Sequence, residues 1–168
     1  MTVLRGKVWK FGDDISTDLI TPGRYYHLRS NLPELAKHVM EDADPTFASK
    51  VQRGDFIVGG KNFGLGSSRE HAAIVIKLSG VSAVLAKSFA RIFFRNAINV
   101  GLLVLICETD KFDQGDVLEV DLEAGTLKDL TKGMQLKAGK MALEVVQILN
   151  EGGLVPYIKK YGDFKLSG

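Results

Sequence analysis

Apolar and polar positions follow two different periods along this chain, and the change comes near residue 110. Gly6-Lys7-Val8-Trp9-Lys10-Phe11 alternates and predicts a strand with one buried face. The stretch from Asp13 to Arg24 is crowded with Asp, Ser, Thr, Pro and Gly, which predicts a long loop. Leu35, Ala36 and Val39 share a helical face behind Pro33, so a helix is expected over Leu32 to Met40. Phe56-Ile57-Val58-Gly59-Gly60 predicts a short buried strand, Gly64 to Ser68 a tight turn, and Arg69 to Leu78 a helix closed by Gly80. A strand over Val81 to Ala86, a helix over Ser88 to Val100 and an apolar strand over Leu102 to Cys107 follow. Apolar strands separated by helices are buried on both faces, which predicts parallel pairing and an α/β fold. Beyond Asp110, turns at Gln114-Gly115-Asp116, Glu123-Ala124-Gly125 and Thr131-Lys132-Gly133 separate short alternating strands, so that section is expected to be antiparallel. A last helix is expected over about Met141 to Glu151, with further helical turns from Leu154 to Tyr161. No repeat or linker divides the chain, so residues 1–168 are expected to form a single domain.

Composition changes this picture mainly by exclusion. A net charge of +2, with Lys and Arg scattered, does not suggest a nucleic-acid surface. The first residues lack the apolar run of a signal peptide and no segment nears membrane-spanning length, so no membrane partner and a cytoplasmic location are expected. Cys107 is the only cysteine, and His27, His38 and His71 show no metal-ligand spacing. No metal or cofactor is therefore expected on this chain. If it works with a metal cluster, another chain supplies it.

Three segments carry candidate chemistry. In Gly64-Leu65-Gly66-Ser67-Ser68-Arg69-Glu70-His71, a glycine-rich turn delivers two hydroxyls and a guanidinium to a helix N-terminus. Free N–H groups and the helix dipole favour an anion there, and Arg69 can grip a carboxylate with two hydrogen bonds. The alternative is plain capping by Ser67 or Ser68, although one serine is enough for that and two glycines are not needed. Neither the dinucleotide fingerprint nor the P-loop fits, because Arg69 stands where a third glycine is required and no Gly-Lys precedes the serines. In the early loop Asp13, Asp14, Asp18 and Arg24 cluster with Thr17 and Thr21, which is also ordinary turn chemistry. The third segment, Lys87 to Asn99, mixes aromatics with Arg91 and Arg95. Its Phe89, Ile92, Phe93 and Ala97 fall at helical spacing, which favours core packing over a single-stranded nucleic-acid groove.

Taken together, Lys10-Phe11-Gly12-Asp13-Asp14-Ile15-Ser16-Thr17-Asp18, the Gly-Leu-Gly-Ser-Ser-Arg-Glu-His turn and Lys87-Ser88-Phe89-Ala90-Arg91-Ile92-Phe93-Phe94-Arg95-Asn96 closely resemble the small subunits of 3-isopropylmalate dehydratases and homoaconitases, in the aconitase superfamily. The resemblance runs nearly the whole length, in order. It implies a β/β/α swivelling domain like the C-terminal domain of aconitase. It also implies a hydro-lyase that isomerises a small hydroxy acid by dehydration and rehydration, active only with a large subunit that carries a 4Fe-4S cluster. The pair would form a heterodimer or heterotetramer, and a homo-oligomer of the isolated chain is left open.

Residue by residue, the resemblance places the proton-abstracting base on Ser67 and substrate binding on Ser68 and Arg69. Asp18, Thr21 and Arg24 would bind or orient substrate from the early loop. The loop after Arg24 would sense the variable group of the substrate through Tyr26, His27, Leu28 and Arg29. An alternating loop would turn Tyr26 and Leu28 inward as an apolar wall and leave His27 and Arg29 outside, which favours 2-isopropylmalate over a tricarboxylate. The other readings are a homoaconitase or other malate-type hydro-lyase subunit, an anion-binding regulatory module, and a structural subunit whose serines only cap a helix.

Overall fold

The computed structural model describes residues 3–67, 69–138, 150–152 and 154–161. Among the described residues seven strands form one sheet. Four pair in parallel: β1 (Val3–Lys10), β2 (Phe56–Val58), β3 (Ala83–Ala86) and β4 (Leu103–Ile106). Three more, β5 (Val117–Asp121), β6 (Thr126–Asp129) and β7 (Met134–Lys137), form an antiparallel meander. The spatial order is β4-β3-β2-β1-β5-β6-β7. Strand β1 joins the two halves: Val3 to Lys7 pair antiparallel with β5, and Val8 to Lys10 pair parallel with β2. The expected α/β fold, with a parallel half followed by an antiparallel half, is what the chain adopts.

The central strands are apolar at every position because both faces are covered. Ile57, Val84, Ala86 and Val104 face a core shared with α4 (Glu70–Leu78) and α5 (Arg91–Val100), through Ala72, Ala73, Val75, Ile76, Phe93 and Ala97. Phe56, Val58, Leu85 and Leu105 point the other way, to a second core with Phe112, Leu118, Val120 and Leu127. Gly101 takes a left-handed conformation and ends α5, as its place predicts.

Several boundaries differ from expectation, each for a visible reason. The early loop contains a short helix, α1 (Thr17–Ile20), capped by the Ser16 hydroxyl, and a 3₁₀ helix over Gly23–Leu28. The helix expected to reach Met40 stops early, as α2 (Leu32–Ala36). Met40 is fully buried at positive φ, and its N–H donates to Ile20 O instead of continuing the helix. A further short helix, α3 (Phe47–Lys50), follows and buries Phe47. The helix expected from Ser88 starts only at Arg91, because Phe63 and Phe89 form a bridge that holds 88–90 extended. The helix expected near Met141 falls largely outside the described residues, and Leu154–Tyr161 is α6.

Gly64 and Gly66 decide where the candidate turn sits. Gly64 has φ +85°, and a Cβ there would lie 2.2 Å from Phe93 Cγ. Gly66 has φ +113°, and its Cβ would lie 3.1 Å from Thr17 Oγ1. Only glycine lets the turn lie this close to α5 and to the early loop. Gly64→Ala should therefore destabilise the chain by about 2–5 kcal/mol through left-handed strain plus overpacking. Gly12→Ala, whose Cβ would meet nothing within 4 Å, should stay within about 0.5 kcal/mol of wild type. Urea unfolding of both variants checks this, and equal midpoints would contradict it.

A buried carboxyl pair sits at the meander. Asp129 is 1% exposed and Asp116 5%. Asp129 Oδ1 accepts from the N–H groups of Thr131 and Lys132, but no protein donor reaches its buried Oδ2. Asp116 Oδ2 accepts from Asp113 N–H and faces Lys132 Nζ at 3.2 Å. Burial, and then the neighbouring Asp116 carboxyl, push Asp129 above the ordinary carboxylate range. Against its own burial, Asp116 is held below that range by hydrogen bonds from Asp129, Asp113 and Lys132. The pair is satisfied when Asp129 keeps a proton and donates it to Asp116. A raised folded-state value gives stability that is full below the ordinary carboxylate range and is lost as pH rises through the raised value. Asp129→Asn carries permanent donors, so it should melt above wild type once pH rises through the raised value, with the gap closing toward the ordinary carboxylate range. A gap independent of pH in thermal melts would contradict the shared proton.

Candidate active site

The early loop is laid onto the glycine-rich turn by the backbone. Gly64 N–H donates to Ile15 O at 2.7 Å, and Thr17 N–H donates to Leu65 O at 2.8 Å. Asp13 and Asp14 serve this docking. Asp13 Oδ1 accepts from Lys61 N–H at 2.7 Å, Asp14 N–H donates to Lys61 O, and Asp14 Oδ1 accepts from Asn62 Nδ2. These two carboxylates pin the loop and reach no further.

Asp18 and Thr21 hold the guanidinium of the turn. Arg69 Nη1 lies 3.2 Å from Asp18 Oδ1 and 3.2 Å from Thr21 O. Asp18 Oδ1 also accepts from Gly23 N–H at 2.9 Å, which fixes the carboxylate. The Thr21 side chain is buried and donates its hydroxyl to Thr17 O, so the residue serves the site through its carbonyl and not through its hydroxyl. With Nη1 engaged, the other guanidinium donors remain for an incoming carboxylate.

Ser67 is exposed on the turn, and its Oγ lies 3.4 Å from Thr17 Oγ1. It does not cap α4. Arg69 occupies the cap position, without a side-chain capping bond, and Arg69 N–H donates to Ser67 O. Ser68 lies outside the described residues. The aromatic segment packs on the core through Phe89, Phe93 and Ala97, with the Phe89 and Phe93 rings stacked at 6.1 Å and Phe93 buried against Phe63, whereas Ile92, expected to join them, is 50% exposed.

The loop after Pro22 corrects two expectations. Arg24, expected to bind or orient substrate, is engaged by acidic side chains of its own chain. Its guanidinium forks onto Asp42 at 2.8 and 2.7 Å and onto Glu41 at 2.7 Å, so the sequence pattern missed its acidic partners. The alternation expected for Tyr26 to Arg29 also fails, because the segment is a 3₁₀ helix with a period of three. Tyr26 and Arg29 therefore share an edge, with the Arg29 guanidinium 4.4 Å over the Tyr26 ring. Together with Thr21, Pro22, Leu35, Arg69 and His71 they line a small cleft. Leu28 packs on the core instead, and His27 is exposed. Two residues at the site were given no role from the sequence: His71, which meets the Tyr26 ring edge-on at 6.3 Å, and Thr17, named only as part of the early-loop cluster. Each stood inside a quoted motif, which was the available signal.

The one cysteine of the sequence is poorly suited to hold a cluster. The Cys107 thiol is pushed up to about 12, chiefly by burial, and a neutral buried thiol is a poor ligand. Among the described residues no group of three His, Cys, Asp or Glu side chains is placed to share a metal ion.

Comparison with known proteins identifies the family and the fold. The aconitase C-terminal domain model matches residues 15–110, which span the loop, the turn and α5. The 3-isopropylmalate dehydratase small subunit 2 of Archaeoglobus fulgidus is 66% identical over 161 residues, covering 96% of this chain and 98% of that one. The isopropylmalate/citramalate isomerase small subunit of Methanocaldococcus jannaschii is 53% identical over 95% of each chain. A crystal structure of a 3-isopropylmalate dehydratase from Methanocaldococcus jannaschii superposes with a TM-score of 0.90 at 48% identity, over 95% of each chain. The chain thus belongs to the family of 3-isopropylmalate dehydratase small subunits, built on the aconitase C-terminal domain.

Proposed function

We propose that this chain works as one swivelling unit, the small subunit of a two-chain hydro-lyase that interconverts 2- and 3-isopropylmalate in leucine biosynthesis, in the cytoplasm. The observation that carries the reading is the turn itself: an exposed Ser67 beside a guanidinium already held by Asp18 and Thr21 O. No helix among the described residues is long and apolar enough to cross a membrane.

Ser67 Oγ takes the carbon-bound proton, and Arg69 holds a substrate carboxylate with its remaining donors. Ser68 is assigned to substrate binding by its place in the motif. An alkoxide is stabilised by the turn's backbone N–H groups, the α4 dipole and Arg69 once closure of the two subunits excludes water. Asp18 orients the Arg69 guanidinium. A 4Fe-4S cluster on the large subunit would supply a Lewis acid for the departing hydroxyl. One specific observation favours a second reading, a tricarboxylate substrate of the homoaconitase type: Arg29 stands at the cleft beside Tyr26, where an extra carboxylate would find a cation.

The isolated chain should show no dehydratase activity until the large subunit is added. In the reconstituted pair, Ser67→Ala should lower kcat about 100- to 10,000-fold while pairing survives. Arg69→Lys should mainly raise KM, since a point charge replaces a fork. Near-wild-type turnover by Ser67→Ala would move the base elsewhere. For substrate choice, kcat/KM is compared for isopropylmalate, citramalate and homoaconitate in wild type and Arg29→Ala. Isopropylmalate should lead in both. A tricarboxylate preference abolished by Arg29→Ala would establish the second reading.

A further inference from the structure

We infer that Thr17 is a positioning residue for the Ser67 base, aiming its hydroxyl and donating to it in the ionised form. This rests on the reading of Ser67 given above. Thr17 is 3% exposed, and its backbone is fixed at both ends: N–H donates to Leu65 O, and C=O accepts from the Thr21 N–H and hydroxyl. A β-branched side chain on such a backbone has little rotamer freedom. Its hydroxyl has one partner among the described residues, Ser67 Oγ. Thr21 bonds back to the carbonyl four residues earlier; Thr17, the first residue of α1, has no helical carbonyl to use. Gly66 keeps the line between the two hydroxyls open, because a Cβ there would lie 3.1 Å from Thr17 Oγ1.

The pairing is one-sided in the state that matters. While both groups are neutral, either can donate. Ser67 must pass its proton to solvent before the site closes, so that it can then take one from carbon, and an alkoxide only accepts. Thr17 then donates to it and keeps its own proton throughout, so no net transfer involves Thr17. A hydrogen bond to a charged acceptor is stronger than one between neutral groups, so the contact favours ionised Ser67 over the resting form. The separation of 3.4 Å is long for two hydroxyls, and it has to shorten by about 0.5 Å when the alkoxide forms. Such tightening between the open and the reacting state is common for catalytic pairs.

Thr17→Val removes the hydroxyl and keeps the shape, whereas Thr17→Ser keeps the hydroxyl. Each is combined with the large subunit, alone and crossed with Ser67→Ala. Thr17→Val should lower kcat about 10- to 100-fold with KM nearly unchanged. It should also move the rising limb of the kcat–pH profile up by about one to two units. Thr17→Ser should stay close to wild type, and Thr17→Val should add nothing once Ser67 is Ala. If Ser67→Ala is inactive but Thr17→Val is normal, Thr17 has no such role and the Ser67 reading stands. If Ser67→Ala is active, the Ser67 reading itself falls. A Thr17→Ser variant as poor as Thr17→Val would reduce Thr17 to packing, and multiplying losses in the double variant would place its action elsewhere. Should Thr17→Val fail to pair, Thr17→Ala against Thr17→Ser tests the same hydroxyl, with the same profile shift expected of the alanine variant and its absence overturning the inference.

Discussion

The docking of the early loop on the glycine-rich turn is the contact on which the rest of the site depends. Two backbone hydrogen bonds, Gly64 to Ile15 and Thr17 to Leu65, join segments some fifty residues apart. They exist only because Gly64 leaves room for Phe93 and Gly66 leaves room for Thr17. Once the segments meet, Asp18 and Thr21 O come within reach of Arg69, and the Thr17 and Ser67 hydroxyls face each other. Backbone carries the fit, and side chains carry the chemistry. Such a site is stiff where the scaffold sets it and open where substrate and partner must enter.

The sheet supports this arrangement through one strand. β1 is antiparallel to β5 along its first half and parallel to β2 along its second, and the early loop leaves from its parallel end. Helices α4 and α5 pack on a single face of the parallel half, so the turn before α4 and the start of α5 meet at the loop. The meander lies beyond β1, away from the turn, and builds the second core.

Much of this was legible in the residues. Apolar runs bounded by glycine located β2, β3, β4 and α5, and alternation with turn signals located β5. What stayed hidden depended on distant partners. Met40 leaves its helix for Ile20 O, residues 88–90 stay extended for Phe63, and Arg24 turns to Asp42, none of which local spacing encodes. The 3₁₀ helix at Gly23–Leu28 reversed the expected facing of Leu28 and Arg29, because a period of three and a period of two disagree within four residues. The Ser-Arg pair was recognisable as a motif, but that Thr17 faces Ser67 required the loop to be seen in place.

The central claim is that this chain contributes the proton-abstracting base while the cluster stays on the other subunit. Deuterium exchange at the substrate carbon tests it most directly, measured by NMR in heavy water on the reconstituted pair with wild-type or Ser67→Ala small subunit. The cluster's electron paramagnetic resonance signal is followed in parallel as a report of substrate binding. The account predicts that substrate still perturbs the cluster signal of the Ser67→Ala pair while carbon exchange is lost. Exchange at the wild-type rate in that pair would contradict it.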